Sequence, residues 1–373
     1  MADERPCKRS RIEDVSEQPS EHPSGAQAAP RVIQGPTAEP LKRDEDIWFP
    51  SGNITIIADG RVAFRVFQGI LSQRSEAFRG LFDLPLPPDC EKLDDCPVVH
   101  LSDSPTDLKH LLLVIYCRKN YFYRRDEPIP VPFHILASLI RMSHKYGVQD
   151  LYNTALARLK KFYTSDFDAW DDKKARRRYV TTTAADALTV LELARLTNTP
   201  SLLPTAYLIC CSLDKARRVK KRTRHERPLL AELSPWDLKH VVTGKAKLAQ
   251  RRAARLLGLL RAAPCEGCSR PEKCAYAVQR TLQRIDLAEL EQGMDDALAF
   301  DHLFGWFWTR GQVERLCGRC MTASDEAHTK LRLETWYKLP EIFGIEVPGW
   351  PTGTATDVSE EAEALVEVEA PAE

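Results

Sequence analysis

Asn53-Ile54-Thr55-Ile56-Ile57-Ala58, then Asp59-Gly60, then Arg61-Val62-Ala63-Phe64-Arg65-Val66 is the stretch whose reading decides the fold. Two β-type apolar runs flank Asp-Gly, a pair that tolerates the positive φ of a primed turn, so the stretch predicts a two-residue hairpin. Ile54 and Ile56 share one face of their strand; Val62, Phe64 and Val66 share one face of theirs. A hairpin that buries one face needs helices laid on it. The spacing of Leu71, Ser75, Phe78 and Phe82 predicts a helix directly afterwards.

Working outward, Val98 to Asp103 reads as a third strand. Ser104-Pro105-Thr106-Asp107 reads as a helix start, with a cap residue, a proline at the first helical position and an acid at the third. Leu108, Leu111, Leu112, Ile115 and Tyr116 continue that helix with one apolar face. His134 to Leu159 reads as a pair of helices with an elbow at Lys145-Tyr146-Gly147-Val148-Gln149-Asp150-Leu151, because Gly147 stops the first. Between them, Leu84-Pro-Leu-Pro-Pro88 is a loop on composition.

Phe64 to Phe82, followed by these pieces in this order, resembles the BTB/POZ domain. The overall arrangement, from Trp48-Phe49 ahead to Leu339-Pro-Glu-Ile-Phe-Gly344 far behind, is most similar to the BTB proteins of mushroom-forming (basidiomycete) fungi. The resemblance covers about a third of the chain and implies a small sheet flanked by helices, acting in protein–protein interaction rather than catalysis. It further implies a symmetric homodimer, and for some members recruitment of a cullin-type ubiquitin ligase through the helix near Ser104 to Tyr116 and the closing pair. One departure falls at Asn53 and Phe67, where many members carry an acidic residue and a histidine.

The fold class expected is α+β, in four parts: a disordered tail over 1–43, the BTB/POZ-like domain over 44–164, an all-helical domain over 165–350, and a disordered acidic tail over 351–373. The first tail is rich in Pro, Ser and Glu and has too few large apolar residues to offset backbone ordering. The last holds seven acids and no Lys or Arg. Asp166 to Asp172 and Lys173 to Arg178 form an acidic block and a basic block, read as a solvated connector. Helices are predicted near Thr183 to Pro200, from Leu203 through Cys210, and after Ser234-Pro235-Trp236-Asp237, the last repeating the start seen at Ser104. Leu256, Leu257, Leu259 and Leu260 close a long helix. Leu298–Trp308 and Leu331–Phe343 are aromatic-rich helices whose Trp and Phe read as core rather than as a ligand box.

The 373 residues carry 53 Lys and Arg against 53 Asp and Glu, so no net field steers the chain toward nucleic acid or membrane. No apolar run is long enough to span a bilayer and no secretory signal is read. Eleven cysteines in such a chain read as reduced thiols in the nucleus or cytoplasm. Lys8-Arg9-Ser10-Arg11 is either an import signal or part of a solvated tail. Lys215 to Arg227, with eight Lys and Arg, has three readings: phosphate contact, an import signal or a solvated loop. It has no aromatic residue to stack on bases, so nucleic acid is not the expected partner. A nuclear regulator that touches DNA or chromatin through these basic segments is the alternative to the interaction protein.

Cys265-Glu-Gly-Cys268 and Cys317-Gly-Arg-Cys320 are the candidate metal ligands. Two Cys-x-x-Cys pairs can give four thiolates to a tetrahedral structural zinc, each pair biting through a turn that Gly makes easy. Each pair follows a predicted helix, so antiparallel helices would bring them together, and Cys274 offers a fifth thiol. Free thiols in two loops, or a redox pair, are the other readings. The glycines form no phosphate-loop spacing. The histidines form no nucleophile motif with Ser or Cys, so no catalytic residue is expected.

Overall fold

In the computed structural model, which describes residues 41–85, 89–124, 127–213, 229–284 and 316–353, the hairpin is formed by β2 (Ile54–Ala58) and β3 (Val62–Val66). β1 (Lys42–Trp48) precedes them. Ile54 lies opposite Val66, Ile56 opposite Phe64 and Ala58 opposite Val62. Asp59 and Gly60 both take positive φ, 47° and 64°, the left-handed pair that a primed turn requires. The third strand, β5 (Cys96–Leu101), runs parallel to β2 with Thr55 opposite Val98, and β4 (Lys92–Leu93) hangs on its outer edge. The sheet order is β1-β3-β2-β5-β4.

β1 was not visible in the sequence. It pairs parallel with β3, Lys42 opposite Val62 and Arg43 opposite Ala63, then slips to place Trp48 opposite Arg65. The slip has a local cause: the Asp44 carboxylate accepts from the backbone N–H of Asp46 and of Ile47, both at 3.0 Å. That side-chain turn interrupts the ladder and delivers Ile47, fully buried, to the core. The strand begins inside the segment expected as tail; residues 1–40, with the Lys8 to Arg11 cluster, lie outside the described residues.

The single helix expected through Leu71 and Phe82 is two, α1 (Gln68–Arg74) and α2 (Glu76–Phe82). Ser75 between them is extended, with φ −139° and ψ 121°. Its hydroxyl accepts from the Phe78 N–H at 3.1 Å and donates to the Tyr146 carbonyl at 2.5 Å. At the departure site, the Asn53 side-chain oxygen accepts from the Gln68 N–H at 2.8 Å, which serves an orphan donor at the start of α1. The helices α3 (Pro105–Cys117), α4 (Phe133–Tyr146) and α5 (Gln149–Phe162) then follow as expected. Asp103 accepts from Lys145 at 2.6 Å and from the Tyr146 hydroxyl, clamping the elbow. Two short ladders flank α4: β6 (Tyr123–Arg124) with β7 (Glu127–Pro128), and β8 (Val131–Pro132) with β9 (Val180–Thr181).

The charged stretch after α5 corrects the solvated-connector reading. It folds into α6 (Phe167–Asp171) and α7 (Lys173–Arg176), capped by Asp166 and Asp172, whose carboxylates accept from the N–H of Ala169 and Ala175 at 2.7 and 2.8 Å. Phe167, Trp170 and Arg176 are buried. The acids there are caps, and the aromatic residues among them carry the packing.

Beyond lie α8 (Asp186–Leu196), α9 (Leu203–Cys210), the long α10 (Pro235–Arg261), α11 (Pro271–Arg284), α12 (Gly318–Tyr337) and α13 (Leu339–Phe343). Of the two similar helix starts, Ser234 caps α10 through its hydroxyl at 3.1 Å from the Asp237 N–H, while Ser104 makes no such bond. Both third-position acids tie to another helix: Asp107 accepts from Ser138 and Arg141, and Asp237 from Arg195 and Tyr207. One apolar core runs from Ile47 to Trp350 and crosses residue 164 without a break. Trp336 sits in it, with the rings of Phe167, Trp170 and Trp350 at 5.7, 5.5 and 5.4 Å, so this aromatic group is core. Among the described residues no helix is long and apolar enough to cross a membrane. The Leu298–Trp308 run, the Lys215 to Arg227 run and the residues from 354 onward lie outside the described residues.

Candidate metal centre

Three elements converge at the far end of α10. The chain leaves α10 at Arg261 and makes a tight turn through Cys265 to Cys268, where the Cys268 N–H meets the Cys265 carbonyl at 3.1 Å. Pro271 then starts α11, which places Cys274 in its first turn. Cys317 is the N-cap of α12 and Cys320 lies in its first turn, so the second pair opens a helix. The C-terminal end of α10 and the N-terminal end of α12 meet, Leu331 touching α10 further back at Gly258, where an added Cβ would lie 2.6 Å from the Leu331 side chain.

The sulfurs of Cys268, Cys274, Cys317 and Cys320 all lie within 4.8 Å of one another. Cys268 is 3.6 Å from Cys317 and 3.4 Å from Cys320. Four thiolates at roughly 2.3 Å from a tetrahedral zinc would be about 3.8 Å apart, so the set is close to the size such an ion imposes. Three of the four residues named as ligands from sequence, Cys268, Cys317 and Cys320, belong to this set, and Cys274 takes the place expected for Cys265. Cys265 touches Cys320, sulfur to sulfur at 3.6 Å, but stands outside the mutually close four.

Backbone N–H groups point at the sulfurs: Arg270 at Cys268, Cys317 at Cys274 and Cys265 at Cys320, each at 3.4 Å. Such donors stabilise thiolate charge and fix ligand orientation. Arg319 donates to the Gly267 carbonyl at 2.8 Å and ties the first turn of α12 to the cysteine loop. The Cys317 thiol is held down to about 5, chiefly by the backbone N–H of Cys320 and then by the Ser269 hydroxyl. Burial pushes Cys320 up to about 11 and raises Cys268 and Cys274 as well. Metal uptake by this set would therefore release protons, because each ligand must be a thiolate. Among the described residues the apolar surroundings are Ala263, Ala277, Val278 and Leu316, with partly buried Leu260 and Met321 against them, separate from the main core.

The histidines have structural partners where the structure describes them. His110 meets the Tyr121 hydroxyl at 3.2 Å, His100 meets Glu91 at 2.7 Å, and His240 meets the Phe343 carbonyl at 2.5 Å. What the sequence reading missed is the place of Cys274. The signal available was Pro271, which as a first helical residue puts a thiol three positions later beside the preceding loop. No protein-family model matches this chain, and no curated protein matches it significantly.

Proposed function

We propose that this chain is a non-catalytic protein-interaction protein: a BTB/POZ-like module over residues 44–164 self-associates as a symmetric dimer, and the thiol cluster of the helical part holds one structural zinc ion. What supports the first half is one arrangement. The primed hairpin, the parallel strand beside it, the helix after Ser104 and the helix pair hinged at Gly147 occur on one small sheet, in the order that the resemblance implies. What supports the second half is the donor set: four soft sulfur ligands, Cys268, Cys274, Cys317 and Cys320, at tetrahedral separations and with amide donors behind them. A zinc ion closed by four thiolates keeps no open position, so it joins helices and does no chemistry.

The test uses the full chain, because a fragment ending at residue 164 would lose part of a continuous core. Light scattering at micromolar concentration should give the mass of a dimer; a monomer throughout that range rejects self-association. Metal analysis of protein purified without chelator should find about one zinc per chain, and protein free of metal rejects the zinc reading. Capture of a cullin-type ligase scaffold by the full chain would recast the module as a substrate adaptor.

A further inference from the structure

Away from the thiols, between the end of α5, the α6–α7 pair, the turn before α8 and the end of α9, lies a cavity of about 240 Å³. Phe162, Trp170 and Ile209 form its apolar wall, and Arg176, Arg177 and Lys173 bring positive charge to it. Arg176 is the unusual member, only 7% exposed. Its guanidinium lies 3.9 Å from the centre of the Trp170 ring and 5.0 Å from that of Phe162. One terminal nitrogen reaches the Phe162 carbonyl at 3.4 Å, and the Nε has no hydrogen-bond partner. Burial, and after it the neighbouring Arg177, lowers its pKa to about 10.

Asp171 on the cavity wall and the adjoining Asp172 act on this charge through space, but by less than burial and Arg177 oppose it. Asp171 is engaged by Arg332 from α12. The hydroxyls nearby are committed too: Thr182 and Thr183 donate to Asp186 at 3.0 and 3.1 Å, and Ser212 donates to the Ile209 carbonyl at 2.7 Å. A guanidinium held out of water with its Nε unpaired is costly. The aromatic faces offset part of that cost, but they act on the flat side of the group and leave its in-plane Nε donor unmet. The in-plane donors of a guanidinium form a planar fork that fits a carboxylate or a phosphate, and an apolar cavity with a few convergent polar groups is the usual form of a small-ligand site.

We propose that this cavity binds a small organic anion, a carboxylate or phosphate monoester on an apolar body, with Arg176 and Arg177 meeting the anion and Phe162, Trp170 and Ile209 the body. Titration calorimetry of the full chain with phenyl phosphate, benzoate and inorganic phosphate tests it. Saturable binding of phenyl phosphate or benzoate is expected, about tenfold tighter than inorganic phosphate, and the tighter of the two identifies the anion. Arg176→Met keeps the apolar stem while removing the charged guanidinium, and should weaken that binding by at least about tenfold. Arg177→Gln changes an exposed residue, does not threaten the fold, and should weaken it several-fold. No saturable binding of any of the three by the natural chain, or an affinity unchanged by the Arg177 substitution, overturns the proposal.

Discussion

Two ends of this molecule are held in place by different physics. Around Phe64 and Phe78 the sheet half buries large side chains in close contact, and its polar ties run between helices: Ser75 to Tyr146, Asp103 to Lys145, Asp107 to Arg141. At the far end of α10, the described cluster has two alanines, a valine and a leucine beside its cysteines. Among the described residues that is a small apolar cluster for three chain segments, even with partly buried Leu260 and Met321 packed against it. Beside it stand four thiols at tetrahedral spacing. The first region should survive loss of any one polar tie, whereas the second should depend on a single ion.

The largest expected effect separates the two ends. Zinc sites of this kind contribute on the order of 10 kcal/mol when ordering is coupled to binding. Cys274→Ser should therefore abolish zinc binding and the hydrogen-exchange protection of α11, while β2 and β3 amides stay protected. Cys265→Ser should keep both the metal and that protection, because Cys265 lies outside the close four. The reverse result would restore the pair-and-pair ligand set read from the sequence. Equal zinc retention by both variants would remove the site. Next in size is Phe64→Ala. Phe64 is fully buried opposite Ile56, so chemical denaturation should show a loss of roughly 3–5 kcal/mol. Zinc content should not change, and a coupled loss of metal would break the contrast between the ends.

How much could be read in advance follows from the range of each signal. The hairpin is local: two-residue periodicity and Asp59-Gly60 lie within one short window, and the register they imply, Ile54 against Val66, is the one formed. The Gly147 elbow and the Ser234 cap are local in the same way. β1 is different, since every residue from Lys42 to Asp46 is charged and the run is a strand only because β3 offers an edge and Asp44 folds the ladder. The α6–α7 pair was hidden because a run of like charges looks solvated, although Asp166 and Asp172 serve as caps and Trp170 covers Arg176. In the metal centre the repeated Cys-x-x-Cys spacing identified the cluster. It also drew the ligand set toward Cys265, because spacing along the chain says nothing of how α11 turns Cys274 back toward α12.

The break at Ser75 is the clearest case of a feature written in two distant places, and it carries the smallest predicted effect. Phe78 and Phe82 continue the helical spacing from Leu71, so nothing nearby demands a stop. The stop comes from a hydroxyl that serves two helix ends, accepting from Phe78 at the start of α2 and donating to Tyr146 at the end of α4. Helix ends leave such groups without intrahelical partners. Ser75→Ala removes both bonds at a position 1% exposed, and should cost roughly 1–3 kcal/mol, from the lost cap and the stranded carbonyl together. Denaturation of the full chain measures the loss, and amide exchange at Phe78 locates it. A loss near zero, with Phe78 still protected, would mean that α1 and α2 are parted by the path of the backbone around Tyr146 rather than by the hydroxyl. The sheet half would then be held by apolar burial with no contribution from this tie, which widens its contrast with the thiol-clasped end.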